Sequence, residues 1–438
     1  MQRHELTNFS LPNSFSAVQS ELRISGLPIS GLIENFGTPH YVYDANVIRD
    51  AYQSLVVNLP WFKIFYSIKA NPNLAICSLL RSLNAGAEIA SSGELKLALE
   101  TGYSPDRIIY AGPAKTDGEL SLAIRTGIAS INVESFSELS RIDRIAKTEG
   151  QQANVSLRIN ALNAEVSTPE VMAGGPSRFG IDEEIVFSEM DISKFTNIKI
   201  IGIHVYTASQ ILDNEAILRN LRRTLRFADL LSQKYELPMQ KIIFGGGFGV
   251  PYSQSEKDID LRLLSREMRS IFESQNATRN GEASSVILEL GRFLVAQSGV
   301  YITKVIDVKE SRGKTYVATD GGINHFTRPV ITNQNHPTFI LNRLGDYEER
   351  VVDIGGPICT PIDIIAKGIE VPNVQIGDII GIFNTGAYGY SMSCLDFLSH
   401  PKPAEVLVDN NTAYLIRERS DFEDVIARQS IPEHFLKS

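Results

Sequence analysis

The chain has 438 residues, 43% of them hydrophobic and 21% charged, and 42 Lys plus Arg against 51 Asp plus Glu leave a net charge of −9. A mildly acidic chain without a basic block is ill suited to holding nucleic acid by neutralising phosphates, and no apolar run approaches the roughly 20 residues of a membrane span. Length alone suggests about three domains, or one large barrel with a companion.

The amino-terminal stretch MQRHELTNFSLPNSFSAVQSE lacks the unbroken apolar run of a signal peptide. Cys77, Cys359 and Cys394 are an odd number, widely spaced, which does not read as an extracellular disulfide framework, so a reducing cytoplasm is the expected compartment. TPHYVYD reads as an extended segment ahead of the first periodic region. From Phe62 to Gly291 short apolar, β-branched runs alternate with longer helical patterns. Strands are predicted in FKIFYSIK (62–69), AEIA (87–90), RIIYAG (107–112), IASINVE (128–134), NVSLRIN (154–160), IKIIGIHVY (198–206), KIIFGGG (241–247) and SVILELG (285–291). The stretches between them repeat apolar residues at three and four, and several end at Gly. Eight βα units match a (β/α)8 barrel, whereas an open doubly wound sheet more often has five or six strands. From Gly299 onward alternating strands are joined by Gly, Asn and Asp turns without long helices. The expected architecture is α/β: a barrel over 46–296, and a mostly antiparallel β domain from 1–45 and 297–438, to which TPHYVYD can add a strand.

In such a barrel the carboxyl ends of the strands gather at one face, where chemistry is found. Those ends carry Lys69, Arg158 with Asn160, His204 with Tyr206, the run Gly245-Gly246-Gly247-Phe248-Gly249, and Glu289 with Arg292 just beyond. A lysine, an acid, arginines, flat rings and a glycine loop suit an anionic, aromatic, aldehyde-bearing cofactor. Each has a plainer reading. Lys69 fits an ordinary lysine at a strand end, or an amine desolvated enough to form a Schiff base. The glycine run fits a tight βα turn, or bare amides approaching a phosphate near the start of the next helix. It is not GxGxxG, so a dinucleotide site is weakly supported. A carboxylate at the end of an apolar strand, as at Glu289, needs a partner, and a protonated pyridine nitrogen is one. Cys359 is a buried apolar thiol by the habit of its residue type, although its loop is polar. The histidine and cysteine spacings hold no metal motif, and no GxSxG occurs.

Taken together, YSIKAN (66–71), SRFG (177–180), GIHVYTASQ (202–210), GGGFG (245–249), ELGRFLV (289–295), DGGINHFTRP (320–329), GGPICTPID (355–363) and GAYGYSMS (386–393) resemble, in order, the fold-type III pyridoxal-phosphate decarboxylases, the family of diaminopimelate, ornithine and arginine decarboxylases. The resemblance runs from about Thr38 to Val408 and implies an alanine-racemase-like barrel with its β domain. It implies that Lys69 carries pyridoxal 5'-phosphate and that Gly246, Gly247 and the neighbouring loop amides bind its phosphate, with Arg292 and Tyr388 nearby and Ser209 also in the cofactor site. Glu88 and Arg158 join the cofactor site, Tyr206 stacks on the ring, and Glu289 pairs with its nitrogen. Arg292, Arg328, Thr360 and Asp363 are the implied substrate contacts, and Cys359 is the implied proton donor. Cys359, Asp363 and the GAYGY loop are implied to come from the second subunit of a homodimer.

Three departures matter. Tyr206 stands where better-known members have a stacking histidine, with His204 two residues earlier on the same side of the strand. Glu88 replaces an aspartate. Thr360 replaces the glutamate of diaminopimelate decarboxylases, which engages a distal ammonium, or the aspartate of ornithine decarboxylases. A neutral threonine cannot make that ion pair, and the Cys-Thr-Pro-x-Asp version resembles the branch acting on conjugated amino acids, such as glutamyl groups on an acyl-carrier protein. The expected partners are therefore a small-molecule or carrier-linked amino acid and a second copy of the chain, with no nucleic acid, membrane or metal. The competing expectations are a diaminopimelate decarboxylase, a racemase using the same cofactor, and a cofactor-free regulatory paralogue.

Overall fold

The computed structural model describes residues 11–162, 168, 170–278, 284–345 and 349–436. It divides into two compact units, Val47–Ala296 and, from both chain ends, Met1–Asn46 with Gln297–Ser438.

The first unit is a closed barrel. Its strands are β1 (Phe62–Ser67), β2 (Gly86–Ile89), β3 (Ile108–Tyr110), β4 (Ser130–Val133), β5 (Ala153–Asn160), β6 (Ile198–Val205), β7 (Lys241–Phe244) and β8 (Ser285–Leu290). All pair in parallel with their sequence neighbours, and β8 returns to β1 to close the ring. Helices follow the strands: α1 (Leu74–Ser82), α2 (Ser92–Glu100), α3 (Asp117–Thr126), α4 (Phe136–Glu149), α5 (Glu183–Glu189), α6 (Asn214–Tyr235), α7 (Leu261–Thr278) and the short α8 (Arg292–Val295). Their ends are written locally. Thr116 and Glu119 form a capping box at the start of α3, satisfying amides that have no partner inside the helix. Gly127 and Gly150 end α3 and α4 in the left-handed conformation.

Side chains two apart on a strand share a face, so the register decides what fills the interior. Phe65, Ile109, Ala129, Ile243 and Ile287 form one buried cluster. Glu289 lies two residues beyond Ile287 on the same face. Across the sheet Glu88 is opposite Ser67, and Arg158 is opposite His204. An apolar plug thus carries a polar layer on its carboxyl side.

The second unit is mixed rather than purely antiparallel. His40–Asp44, the segment expected to add a strand, runs antiparallel to Gly299–Ser311 and parallel to Ala404–Asp409. Lys314–Thr319 and Glu349–Gly355 are also parallel, while the other pairings in this sheet are antiparallel. Tyr41, Tyr43, Val300 and Tyr301 are fully buried where the amino-terminal strand inserts. The Tyr43 hydroxyl donates to the Glu405 carboxylate at 2.6 Å. Phe15–Val18, Glu21–Ile24, Leu27–Pro28 and the helix Ile29–Phe36 precede that strand, a small addition the sequence pattern did not announce.

Candidate active site

β1 ends at Ser67 and the chain turns through a single 3-10 turn, Ile68–Ala70. Lys69 therefore sits in the turn beyond the strand. Its Nζ is 3.0 and 3.1 Å from the two oxygens of Glu88, which is 1% exposed at the end of β2. The same nitrogen lies 5.8 Å above the centre of the Tyr206 ring, within cation–π range. The Lys69 side chain is 40% exposed and its amine is ion-paired to Glu88. Glu94, in the first turn of α2, accepts from the Ala90 N–H at 2.6 Å. Burial, and after it the charge on Glu88, raises its carboxyl to about 7.

On the other side of β1 from Glu88, Glu289 is 5% exposed at the end of β8. His204 Nε2 lies 3.0 Å from Glu289 Oε2, while Oε1 has no hydrogen-bond partner among the described residues. Burial pushes this carboxyl up, but the imidazole beside it, with Lys69 and Arg158 farther off, outweighs burial and holds Glu289 below the usual carboxylate range. Placing His204 on the same side as Tyr206 was legible from the alternation along β6. Its pairing with Glu289, 85 residues away, was not.

Arg158 is held by Glu134 at 2.7 Å and lies 4.8 Å from the centre of the Phe179 ring. Glu134 also accepts the N–H groups of Gly112 and Gly180, both at 3.1 Å. One buried carboxylate thus ties together the loops after β3 and β5 and the arginine of β5. Sequence reasoning missed Glu134, although it ends an apolar strand just as Glu289 does. Below it Lys115 and Glu138 pair at 2.6 Å, both buried.

The glycine loop follows β7. Gly247 has φ +67°, and a Cβ there would stand 2.0 Å from the Ala208 carbonyl oxygen, so only glycine fits. Gly245 and Gly249 donate to the carbonyls of Val205 and Ile211, whereas no protein acceptor is found for the Gly246 or Gly247 N–H among the described residues. The next helix, α7, begins only at Leu261, so the loop offers bare amides and not a helix terminus; the expected proximity to a helix start does not hold. Arg292, 3% exposed, donates to the hydroxyls of Tyr252 at 3.0 Å and Ser209 at 3.2 Å. An orphaned carboxylate oxygen, a cradle of donors and an amine make a set able to hold a flat ring with an N–H, an anionic group and an aldehyde.

The remaining sequence candidates lie in the β domain. Arg328 is 3% exposed, with its guanidinium 5.6 Å from the centre of the Tyr388 ring. Cys359 is exposed, so the buried thiol suggested by its residue type is not what the structure contains; Cys77 is buried and Cys394 exposed. Asp363 is buried, and its two oxygens accept the N–H groups of Ile323 and Ile358 at 2.8 and 2.7 Å. That carboxylate holds the Cys359–Thr360 loop. Where the DGG and GGP loops meet, a Cβ on Gly356 would stand 2.2 Å from Gly322 Cα. Among the described residues no helix is long and apolar enough to cross a membrane, and no group of three or more His, Cys, Asp or Glu is placed to hold a metal.

The profile described as pyridoxal-dependent decarboxylase, pyridoxal binding domain, matches residues 45–296, the barrel that carries this set. The chain is 36% identical over 410 residues to a decarboxylase of the L-glutamyl form of the BtrI acyl-carrier protein from Niallia circulans, covering 92% of this chain and 96% of that one. It is 34% identical to the diaminopimelate decarboxylase of Aquifex aeolicus, over 93% and 95%. The crystal structure of diaminopimelate decarboxylase from M. jannaschii in complex with L-lysine superposes with a TM-score of 0.89 at 30% identity, covering 96% and 99%. A closed barrel with a lysine, a buried acid and a glycine loop at one mouth, matched along nearly the whole chain by decarboxylases, places this protein in the fold-type III pyridoxal-dependent decarboxylases, as an enzyme of that activity.

Proposed function

We propose that the enzyme removes the α-carboxylate of an amino acid presented in conjugated form, with a glutamyl group linked to a carrier protein as the leading substrate. The α-carboxylate must be free to leave, so the link runs through the side-chain carboxyl. The observation that carries this reading is Thr360, beside the exposed Cys359 in a loop held by Asp363. An uncharged side chain there suits a distal amide or ester and leaves a distal ammonium without its ion-pair partner. The 36% identity to a decarboxylase of a carrier-bound glutamyl group supports the same class.

The barrel residues fit pyridoxal 5'-phosphate: the Lys69 amine for its aldehyde, Glu289 Oε1 for its ring N–H, and the Gly246 and Gly247 amides with Ser209 and Arg292 for its phosphate. When bound, the cofactor supplies a ring system that delocalises the electron pair left on Cα by departing carbon dioxide. Glu289, held ionised and oriented by His204, keeps a proton on the donor facing Oε1. Glu88 holds the Lys69 amine and is placed to take a proton from it. Tyr206 supplies a flat face beneath the amine, and Arg158 a fixed positive charge. The Cys359 thiol donates the proton that replaces the carboxylate at Cα, reaching the site from the partner subunit of a homodimer together with Thr360, Arg328 and Tyr388. Free thiols at all three cysteines suit a reducing, cytoplasmic setting.

A mass-spectrometric comparison tests the substrate. An acyl-carrier protein loaded with L-glutamate through its side-chain carboxyl should lose carbon dioxide, and free diaminopimelate should turn over at least about tenfold more slowly. Thr360→Glu should raise turnover of diaminopimelate and lower that of the carrier-bound group. Robust decarboxylation of diaminopimelate by the wild-type enzyme would overturn the reading.

A further inference from the structure

The enzyme carries a net charge of −9, yet α6 presents Arg219, Arg222, Arg223, Arg226 and Lys234 against only Glu215 and Asp229. The spacing of three and four puts Arg219, Arg222 and Arg226 on one exposed stripe that continues to Leu230, 42% exposed. Among the described residues neither Arg222 nor Arg226 has a carboxylate partner. Arg223 and Arg219 do, with Glu183 at 2.7 Å and Asp213 at 3.7 Å. Between α5 and α6 this stripe borders a groove of about 530 Å³ whose apolar floor includes Phe187, Phe227 and Leu230. A second hollow of about 290 Å³, between α6 and α7, shares Arg222.

The upper end of the groove is set at the chemical face. Glu183 opens α5 directly after Ile181–Asp182, which pairs with Ile159–Asn160 at the carboxyl end of β5. Glu183 also accepts the Leu162 N–H at 3.0 Å, two residues past Asn160. A body seated between α5 and α6 therefore lies beside the rim onto which the catalytic strands open.

We propose that the α5–α6 groove docks the acidic carrier protein that presents the substrate. This rests on the carrier-linked reading above. Unpaired guanidinium groups flanking an apolar floor select a partner surface with carboxylates on either side of an apolar ridge, and such complementarity acts mainly on encounter and register. An acidic protein fits better than a nucleic acid, because phosphates gain nothing from the Phe187–Phe227–Leu230 floor and the rest of the molecule repels polyanions.

The test compares wild type with the Arg222→Glu/Arg226→Glu double variant on two substrates: L-glutamyl-loaded acyl-carrier protein, and the L-glutamyl thioester of N-acetylcysteamine, which has no protein part. The expected result is a fall of about tenfold or more in kcat/KM for the loaded carrier, carried by KM, with the small thioester within about twofold of wild type. Added salt should raise the wild-type KM for the carrier alone. Unchanged kinetics on the carrier would overturn the docking site while leaving the carrier-linked reading in place. Competition by a short DNA duplex as strong as that by unloaded carrier would also overturn it. Failure of wild-type enzyme on both substrates, with turnover of a free amino acid, would sink the functional reading and the docking site together.

Discussion

Glu289 shows how much one buried oxygen can carry. It ends an apolar strand, His204 satisfies one of its oxygens, and the other has no hydrogen-bond partner among the described residues. An acid arranged in this way acts on charge that develops during the reaction more than on substrate affinity. Glu289→Gln should therefore lower kcat by about 100-fold with KM changed only a few-fold, measured on enzyme saturated with pyridoxal phosphate. Borohydride reduction should attach the cofactor covalently to wild-type protein and not to Lys69→Ala, a comparison read by mass. In the β domain, His325 is 2% exposed and lies 3.1 Å from the Tyr301 hydroxyl and 2.9 Å from the Pro401 carbonyl. Burial, with the Arg419 charge, lowers its value to about 4, against an ordinary 6.5. Between those values the unfolded chain binds a proton that the folded chain refuses, so its contribution to stability is present above about 6.5 and is lost as the pH falls towards 4. Tm should drop over that range less steeply in His325→Gln. Some slope should remain, because burial holds His40 down to about 4 as well.

Among the local elements, the glycine loop after β7 is where backbone shape and chemistry coincide. Both Gly246 and Gly247 have a positive φ, but Gly247 is pressed against the Ala208 carbonyl, while a Cβ on Gly246 would meet the movable Leu288 and Leu290 side-chain ends at 2.6 and 3.0 Å and the Glu289 carbonyl oxygen only at 3.4 Å. Gly247→Ala should cost about 3 kcal/mol and weaken cofactor retention, with Gly246→Ala milder, seen as the order of apoenzyme Tm and of cofactor loss on dialysis. The glycines themselves were plain in the sequence. The late start of the next helix at Leu261 also has a local signal, Asp260, whose carboxylate accepts the Arg262 and Leu263 N–H groups at 2.9 and 3.0 Å. Lys69 differs: FKIFYSIK reads as one strand, and only the turn at Ile68–Ala70 brings the amine onto Glu88.

For the assembled enzyme, the residues proposed for catalysis are divided between the two units, Lys69 and Glu289 in the barrel and Cys359 and Thr360 in the β domain. If each site takes its Cys359 from the partner, Lys69→Ala and Cys359→Ala should each be inactive as homodimers. After unfolding and refolding together in equal amounts they should recover roughly a quarter of wild-type activity, because half the dimers then hold one intact site. No recovery, with mixed dimers demonstrated by mass, would place both residues in the same chain.

Strand period, helix caps and glycine positions are local properties, and they were enough to find the eight barrel strands, the late change to β texture and the carboxyl-end residues at their mouths. Ordered motifs added the cofactor class because each needs a particular residue type at a particular strand end. Contacts between residues far apart along the chain needed the closed ring. His204 meets Glu289, Glu134 gathers Gly112, Arg158 and Gly180, and the arginine stripe of α6 faces Phe187. None of these pairings has a spacing to announce it, since strand register and helix packing bring such side chains together. The net charge of −9 argued against any polyanion surface; folding concentrates arginines on one helix face, and an average over the chain cannot register that.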